Sequence, residues 1–139
     1  MGSTTKNSSI GKTGEDIAAE YLKSNGYSIL ERNIREKFGE IDILAEKRGG
    51  ALRFVEVKTV SEEFSEFSGL MPEDNLSHAK LAKMKKMAEW YANKHQELVS
   101  RGYQIDLIAI NLPELPDDSD IDLTELAKKC EIKLYENIF

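Results

Sequence analysis

The fold is decided by two neighbouring stretches, Gly39-Glu40-Ile41-Asp42-Ile43-Leu44-Ala45 and Leu52-Arg53-Phe54-Val55-Glu56-Val57-Lys58-Thr59. Their apolar and β-branched residues predict two strands, and the intervening Lys47-Arg48-Gly49-Gly50 predicts the turn of a hairpin. Each strand carries a carboxylate between two branched aliphatic residues, Asp42 in the first and Glu56 in the second. Because a buried ionised group needs a charged partner or a metal, the hairpin predicts a functional site.

The length of the turn decides whether the two carboxylates meet. A three-residue loop, Arg48-Gly49-Gly50, places Asp42 directly opposite Glu56, and opposed residues on one face have Cβ atoms ~5 Å apart. A two-residue Gly49-Gly50 turn shifts the register and puts the two carboxylates on opposite faces of the sheet. The composition of the turn leaves both registers open.

The composition is that of a globular protein with one core: 139 residues, of which 40% are hydrophobic. The single cysteine, Cys130, excludes an internal disulfide and a cysteine-cluster metal site. No apolar run approaches the ~20 residues of a membrane helix, and the polar N-terminus lacks the apolar centre of a signal peptide. We therefore expect a cytoplasmic protein with no membrane partner, a disordered tail over residues 1–10 and a single domain over residues 11–139.

The net charge of −6 argues at first against a nucleic acid partner. The acidity is concentrated near the C-terminus, since residues 111–139 contain eight acids and three bases. Local patches, rather than the total charge, decide whether phosphates are tolerated.

Hydrophobic periodicity, capping residues and turn residues predict the other elements. Helices are predicted at Thr13–Asn25 and Ser77–Lys94, strands at Tyr27–Asn33 and Gly102–Leu112, a helical turn at Leu123–Lys129 and an edge strand at Ile132–Phe139. Loops are predicted at 33–38, at 60–76 and at 113–122, the last of them acidic.

The constellation around the hairpin suits hydrolysis of phosphodiesters with a divalent metal. Asp42 and Glu56 would hold Mg²⁺ or Mn²⁺, with the Val57 backbone carbonyl as an additional ligand. Such an ion polarises a phosphoryl oxygen and lowers the pKa of a bound water. Lys58 would orient that water or stabilise charge on the phosphate, and Glu15 would complete the ligand shell through a water.

A purely structural interpretation stays open beside this one. In it, Glu56 and Lys58 form a buried ion pair along one strand face, and Asp42 caps the turn. Glu15 would then be an acid in the first turn of a helix, where it complements the helix dipole.

Three basic residues are candidates for binding nucleic acid. Arg35 precedes the Asp42 strand, and either faces a phosphate backbone or belongs to a solvated loop. Lys80, on the helix after the hairpin, either contacts a phosphate near the carboxylates or extends its stem along the rim of the core. Lys83 lies on a solvated helix face that can contact a phosphate backbone.

Five motifs carry a resemblance to a known family: Gly14-Glu15, Gly26-Tyr27, Arg32-Asn33, Gly39-Glu40-Ile41-Asp42-Ile43 and Phe54-Val55-Glu56-Val57-Lys58. They resemble the YraN family of uncharacterised bacterial proteins. That family is similar to the restriction-endonuclease-like, PD-(D/E)XK nuclease superfamily and, within it, to archaeal Holliday-junction resolvases. The resemblance covers roughly residues 11–111.

The resemblance implies an α/β restriction-endonuclease-like fold, with a central mixed β-sheet flanked by α-helices. It implies metal ligands at Asp42 and Glu56, a catalytic lysine at Lys58 and an accessory acid at Glu15. The expected function is that of a Mg²⁺-dependent endonuclease on branched or structured DNA. The alternative is a catalytically inactive nucleic-acid-binding module on the same scaffold. Because resolvase-like enzymes cut as dimers, a homodimer is a further expectation.

The sequence departs from the superfamily pattern at two places. Ile41, rather than a proline, precedes Asp42. The acidic stretch after Pro113 lies outside the motif set and disfavours tight binding to duplex DNA.

Overall fold

The protein is a mixed α/β structure with one five-stranded sheet. The computed structural model describes residues 2–61, 77–113 and 122–138, with side chains for residues 11–60, 77–113 and 122–138. In chain order the elements are α1 (Gly2–Ser24), β1 (Tyr27–Glu36), β2 (Gly39–Lys47), β3 (Leu52–Ser61), α2 (His78–Lys94), β4 (Tyr103–Leu112), α3 (Leu123–Lys129) and β5 (Glu131–Tyr135). The expected α/β class and the central mixed sheet with helices are confirmed. Among the described residues, no helix is long and apolar enough to span a bilayer.

The strands lie in the order β1-β2-β3-β4-β5. Neighbours pair in antiparallel fashion except for β3 and β4, which are parallel. A parallel pair needs a crossover connection, and α2 lies in this one. The predicted edge strand is confirmed, because β5 pairs with β4 alone.

The hairpin register is the one that a three-residue turn dictates. Ile43 pairs with Val55 and Glu46 with Leu52, so the two-residue alternative is wrong. The Gly50 N–H donates to the Lys47 carbonyl at 2.8 Å, and Gly49 has a φ of +79°, a left-handed conformation that glycine adopts without steric cost.

Several predicted boundaries differ from the structure, and β5 ends at Tyr135 rather than at Phe139. The helix α1 begins at Gly2 rather than Thr13, so residues expected to form a disordered tail are helical. The polar residues before Thr13 include no proline, and their modest helix propensity does not forbid continuation. The strand β1 continues to Glu36, because Ile34 pairs with Ile41 and is buried. Most of the loops predicted at 60–76 and 113–122 lies outside the described residues.

Both faces of the sheet are covered. On one face α1 packs Ile17 and Leu22 against Ile43 and Val55. On the other, α2 packs Met87 and Tyr91 against Leu44 and Phe54. Strict alternation along β2 predicts Ile41 on the same side as Ile43, but Ile41 packs with Leu44 on the α2 side. The alternation therefore breaks at the residue between Ile41 and Ile43, which is Asp42.

Candidate carboxylate site

The site lies where β2 and β3 separate. Their ladder ends at the Ile43–Val55 pair, one residue before Asp42. In the ladder between β1 and β2, Asp42 and Asn33 are skipped, and Asn33 has a φ of +54°. Asp42 therefore pairs with no backbone group of β1 or β3. If the ladder between β2 and β3 continued by one more pair, Asp42 would lie opposite Glu56.

The Asp42 side chain takes over the role of the missing strand partner. Its Oδ2 accepts a hydrogen bond from the Val57 N–H at 2.8 Å. In a strand, the N–H and the C=O of one residue face the same edge. The Val57 carbonyl, predicted as a metal ligand, therefore faces the same opening as Asp42. The idea that Asp42 caps the turn is wrong, because its partner lies at the opposite end of the hairpin.

Glu56 is a buried carboxylate, with 4% of its surface exposed. Burial raises its pKa from 4.5 to about 7, and the negative charge of Asp42 adds to this effect. The hydrogen bond and the positive charge of Lys80 act in the opposite direction. Glu56 thus holds its proton more strongly than an ordinary glutamate, and a nearby cation would release that proton.

The partner of Glu56 is Lys80, whose Nζ lies 2.6 Å from the Glu56 Oε1. Ser77 caps α2 by accepting a hydrogen bond from the Lys80 N–H at 3.1 Å, which fixes the start of the helix beside the strand. The Glu56–Lys58 ion pair of the purely structural interpretation is therefore replaced by a Glu56–Lys80 pair. The Lys80 side chain is 43% exposed, so it lies at the rim of the core and also lines the neighbouring cavity.

Lys58 follows Glu56 by two residues and shares its face of β3 by strand alternation. Within the parts of the chain that the structure describes, Lys58 forms no ion pair, and its side chain is partly exposed. This lysine therefore lies on the same strand face as Glu56, one side chain further along β3.

Glu15 reaches the site from α1. A Cβ at Gly14 would lie 1.8 Å from the Thr59 Oγ1, so only glycine lets the helix approach β3 this closely. Burial raises the pKa of Glu15, the charge and hydrogen bonding of Asp42 raise it further, and Arg32 opposes them from 4.0 Å. The helix-dipole interpretation is wrong, because α1 begins at Gly2 and Glu15 lies well beyond its first turn.

Three elements thus bring Glu15, Asp42 and Glu56 together, with Asp42 close enough to hydrogen-bond to both glutamates. Among the described residues, no group of three or more His, Cys, Asp or Glu side chains encloses a metal position by itself. An open set of oxygen ligands, two carboxylates and a backbone carbonyl, is what Mg²⁺ tolerates, because it keeps several waters. The donor chemistry therefore fits this ion.

The predicted basic residues line a cavity of about 570 Å³ beside Glu56. Arg35, Lys80 and Lys83 all contribute to it. Arg35 is 75% exposed and lies 3.8 Å from Glu40, a contact too exposed to hold it firmly. Phe38, at the turn between β1 and β2, also lines the cavity and was not expected there. Its signal in the sequence is weak, because one exposed aromatic residue in a turn is common.

Sequence reasoning also missed the partner of Arg32. The Arg32 Nη2 lies 2.7 Å from the Asp16 Oδ1, which ties β1 to α1 beside Glu15. Asp106, on β4, is a second buried acid. It is 1% exposed and accepts hydrogen bonds from Arg53, Gln104 and the Asn137 N–H, which gives it a structural role.

The fold and the site define a mixed α/β protein with a carboxylate cluster where two antiparallel strands separate. Its sequence matches the model of the Uncharacterised protein family UPF0102 over residues 14–110, and the chain belongs to this family. The predicted membership of the YraN family is thereby confirmed. The matched region contains every residue of the carboxylate cluster.

Relatives in three bacteria cover most of the chain. A UPF0102 protein of Persephonella marina is 38% identical over 115 residues, 81% of this chain and 94% of its own length. One from Dictyoglomus turgidum is 43% identical over 106 residues, 76% of this chain and 85% of its own length. One from Campylobacter lari is 37% identical over 129 residues, 93% of this chain and 92% of its own length.

Proposed function

We propose that this protein is a Mg²⁺- or Mn²⁺-dependent endonuclease that acts on branched or structured DNA, with a restriction-endonuclease-like fold. One observation carries the proposal: the buried Glu56 carboxylate, with its pKa raised to about 7, lies beside Asp42 at the edge of a cavity lined by basic side chains. A buried pair of carboxylates is costly, and such arrangements concentrate at functional sites.

The residues have distinct roles in this proposal. Asp42 and Glu56 would hold the cation with the Val57 carbonyl, and the hydrogen bond from the Val57 N–H orients the Asp42 carboxylate. A cation held there would polarise the scissile phosphate and lower the pKa of a bound water. Glu15 orients water next to Asp42, and Lys58 stabilises the negative charge that develops on the phosphate.

Lys80 acts as a positioning residue. Its ammonium favours the ionised form of Glu56, which is the form that ligates a cation. Lys83 and Arg35, at the cavity wall, attract the neighbouring phosphates, and their binding weakens as salt rises.

Labelled junction, flap and linear DNA test the proposal, each with Mg²⁺, with Mn²⁺ and with chelator. The wild type should cleave at least one structured DNA only when metal is present. Lys58→Ala and Glu56→Gln should lose roughly 100-fold or more of the rate. Lys129→Ala, an exposed lysine on α3, is the charge-matched control and should cleave like the wild type. Equal background cleavage by all four proteins would refute the proposal.

A second candidate is a nucleic-acid-binding module without catalysis. The observation that favours it is the 2.6 Å Lys80–Glu56 contact, which neutralises the buried carboxylate with a side chain. This candidate predicts salt-dependent binding without turnover, and binding that survives Glu56→Gln. Turnover by the wild type would exclude it.

A further inference from the structure

Phe38 is an exposed aromatic side chain at the wall of the catalytic cavity. It lies in the turn between β1 and β2, and 40% of its surface is exposed. It shares the lining of the 570 Å³ cavity with Glu56 and Lys80. An aromatic side chain with this exposure would gain free energy from further burial.

The Phe38 ring rests against an aromatic side chain of α2. Trp90 contacts Phe38 in a T-shaped arrangement, with ring centroids 5.5 Å apart and planes at 74°. The Lys94 Nζ lies 4.6 Å from the centroid of the Trp90 ring, within the range of a cation–π contact. The Phe38 ring is therefore part of a small aromatic cluster at the cavity wall.

The side chains that line the cavity include more bases than acids, which favours a phosphate backbone beside the Phe38 ring. The basic residues that line the cavity are Arg35, Lys37, Lys80 and Lys83, against the acids Glu36, Glu40 and Glu56. Lys80 is paired with Glu56, but Lys37 and Lys83 form no ion pair within the described residues. Basic side chains beside an exposed aromatic ring are the elements of a single-strand binding site.

We propose that the cavity takes an unpaired nucleotide of the DNA, whose base stacks on Phe38 while Lys37 and Lys83 contact its phosphates. This inference rests on the proposed function and specifies its substrate class. In an intact duplex both faces of every base are covered by its neighbours. A protein ring can stack only on a base that is already unpaired or is flipped out. The preferred substrate therefore has an unpaired nucleotide next to the scissile phosphate.

Fluorescence of 2-aminopurine tests this inference without cleavage. The probe is placed at the first unpaired position of a flap and, as the control DNA, at the same position of a fully paired duplex. Wild type, Phe38→Leu and Tyr103→Leu are titrated in low salt with chelator. Tyr103 is similarly exposed, at 39%, but lies at the start of β4, away from the cavity. Circular dichroism checks that each variant is folded.

The wild type should quench the flap probe and leave the paired probe unchanged. Phe38→Leu keeps an apolar side chain without a ring, so it should remove the quenching and weaken binding roughly tenfold, within the range for one stacked base. Tyr103→Leu should behave like the wild type. Full quenching by Phe38→Leu, or equal quenching of the paired probe, would overturn the inference.

The cleavage assay separates this inference from the proposed function. Metal-dependent cleavage with no dependence on Phe38 overturns the stacking role alone. Quenching that depends on Phe38, without cleavage in Mn²⁺, overturns the nuclease and leaves the nucleotide site in place.

Discussion

Replacing Glu56 with glutamine should remove a loss of stability that the metal-free protein suffers as pH rises through neutrality. The pKa of Glu56 is raised from 4.5 to about 7 in the folded protein. As pH rises above 4.5, the unfolded chain releases this proton while the folded protein keeps it. The folded state therefore binds more protons, and its stability falls with pH until the folded pKa is passed.

The magnitude follows from the pKa difference. A change of one in pKa corresponds to about 1.4 kcal/mol, so the wild type should lose about 2–3 kcal/mol relative to Glu56→Gln between pH 5 and pH 8. The lost Lys80 ion pair offsets the stability of the variant by an amount that is nearly constant from pH 5 to pH 8, so it leaves this pH-dependent change intact.

Urea unfolding at several pH values, with chelator present, measures the difference directly. Glu89→Gln, an exposed carboxylate on α2, is the matched control and should show no comparable pH-dependent gain. If the stability difference between wild type and Glu56→Gln is constant from pH 5 to pH 8, Glu56 is not a buried acid with a raised pKa, and the electrostatic account of the site fails.

Three further substitutions test the packing and the site. Gly14→Ala should destabilise the fold by about 1–3 kcal/mol in thermal unfolding, because the new methyl group meets β3. Gly11→Ala, whose new methyl group would have nothing within 4 Å, should stabilise the fold by up to ~1 kcal/mol. The same sign for both variants would contradict the close contact between α1 and β3. Arg53→Met should lower the free energy of unfolding in urea by about 3–5 kcal/mol, because it leaves the buried Asp106 carboxylate without its charged partner. A decrease of less than about 1 kcal/mol would show that the Arg53–Asp106 pair is solvated. Asp42→Asn should weaken Mn²⁺ binding at least tenfold in calorimetry while the protein stays folded; unchanged affinity would remove Asp42 from the ligand set.

The hairpin could be predicted because its signals are local. The composition of the turn restricted the pairing to two registers, and Gly49 in the left-handed region fits the longer turn. The acids on the two strands were visible as polar residues inside apolar runs. This local information was enough to predict that Asp42 and Glu56 belong to one site.

The partner of Glu56 could not be predicted, because it depends on tertiary packing. Lys58 is near in sequence and shares the strand face, so it was the partner that the structural interpretation offered. Lys80 reaches Glu56 because Ser77 caps the start of α2 beside β3. The place where a helix packs on a sheet is not encoded in a local sequence pattern.

The break in alternation at Asp42 was also invisible to periodicity. A period-two pattern assumes an unbroken ladder. Asp42 has no backbone partner in β3, and its side chain instead accepts a hydrogen bond from the Val57 N–H. Ile41 then turns to the α2 side. The irregularity occurs at the site itself, where local rules are expected to be broken for function.

The turn at Arg48–Gly50 lies at the far end of the strands from the carboxylates. Lys47 follows Asp42 by five positions, which is ~17 Å along an extended strand. Deletion of one turn glycine would change the pairing register of β2 and β3 along their whole length. We expect this deletion to disrupt the site although no residue of the site is substituted. A longer insertion that restores the Glu46–Leu52 pair leaves the strands in place, so this turn can accept a fluorophore-bearing peptide or an epitope.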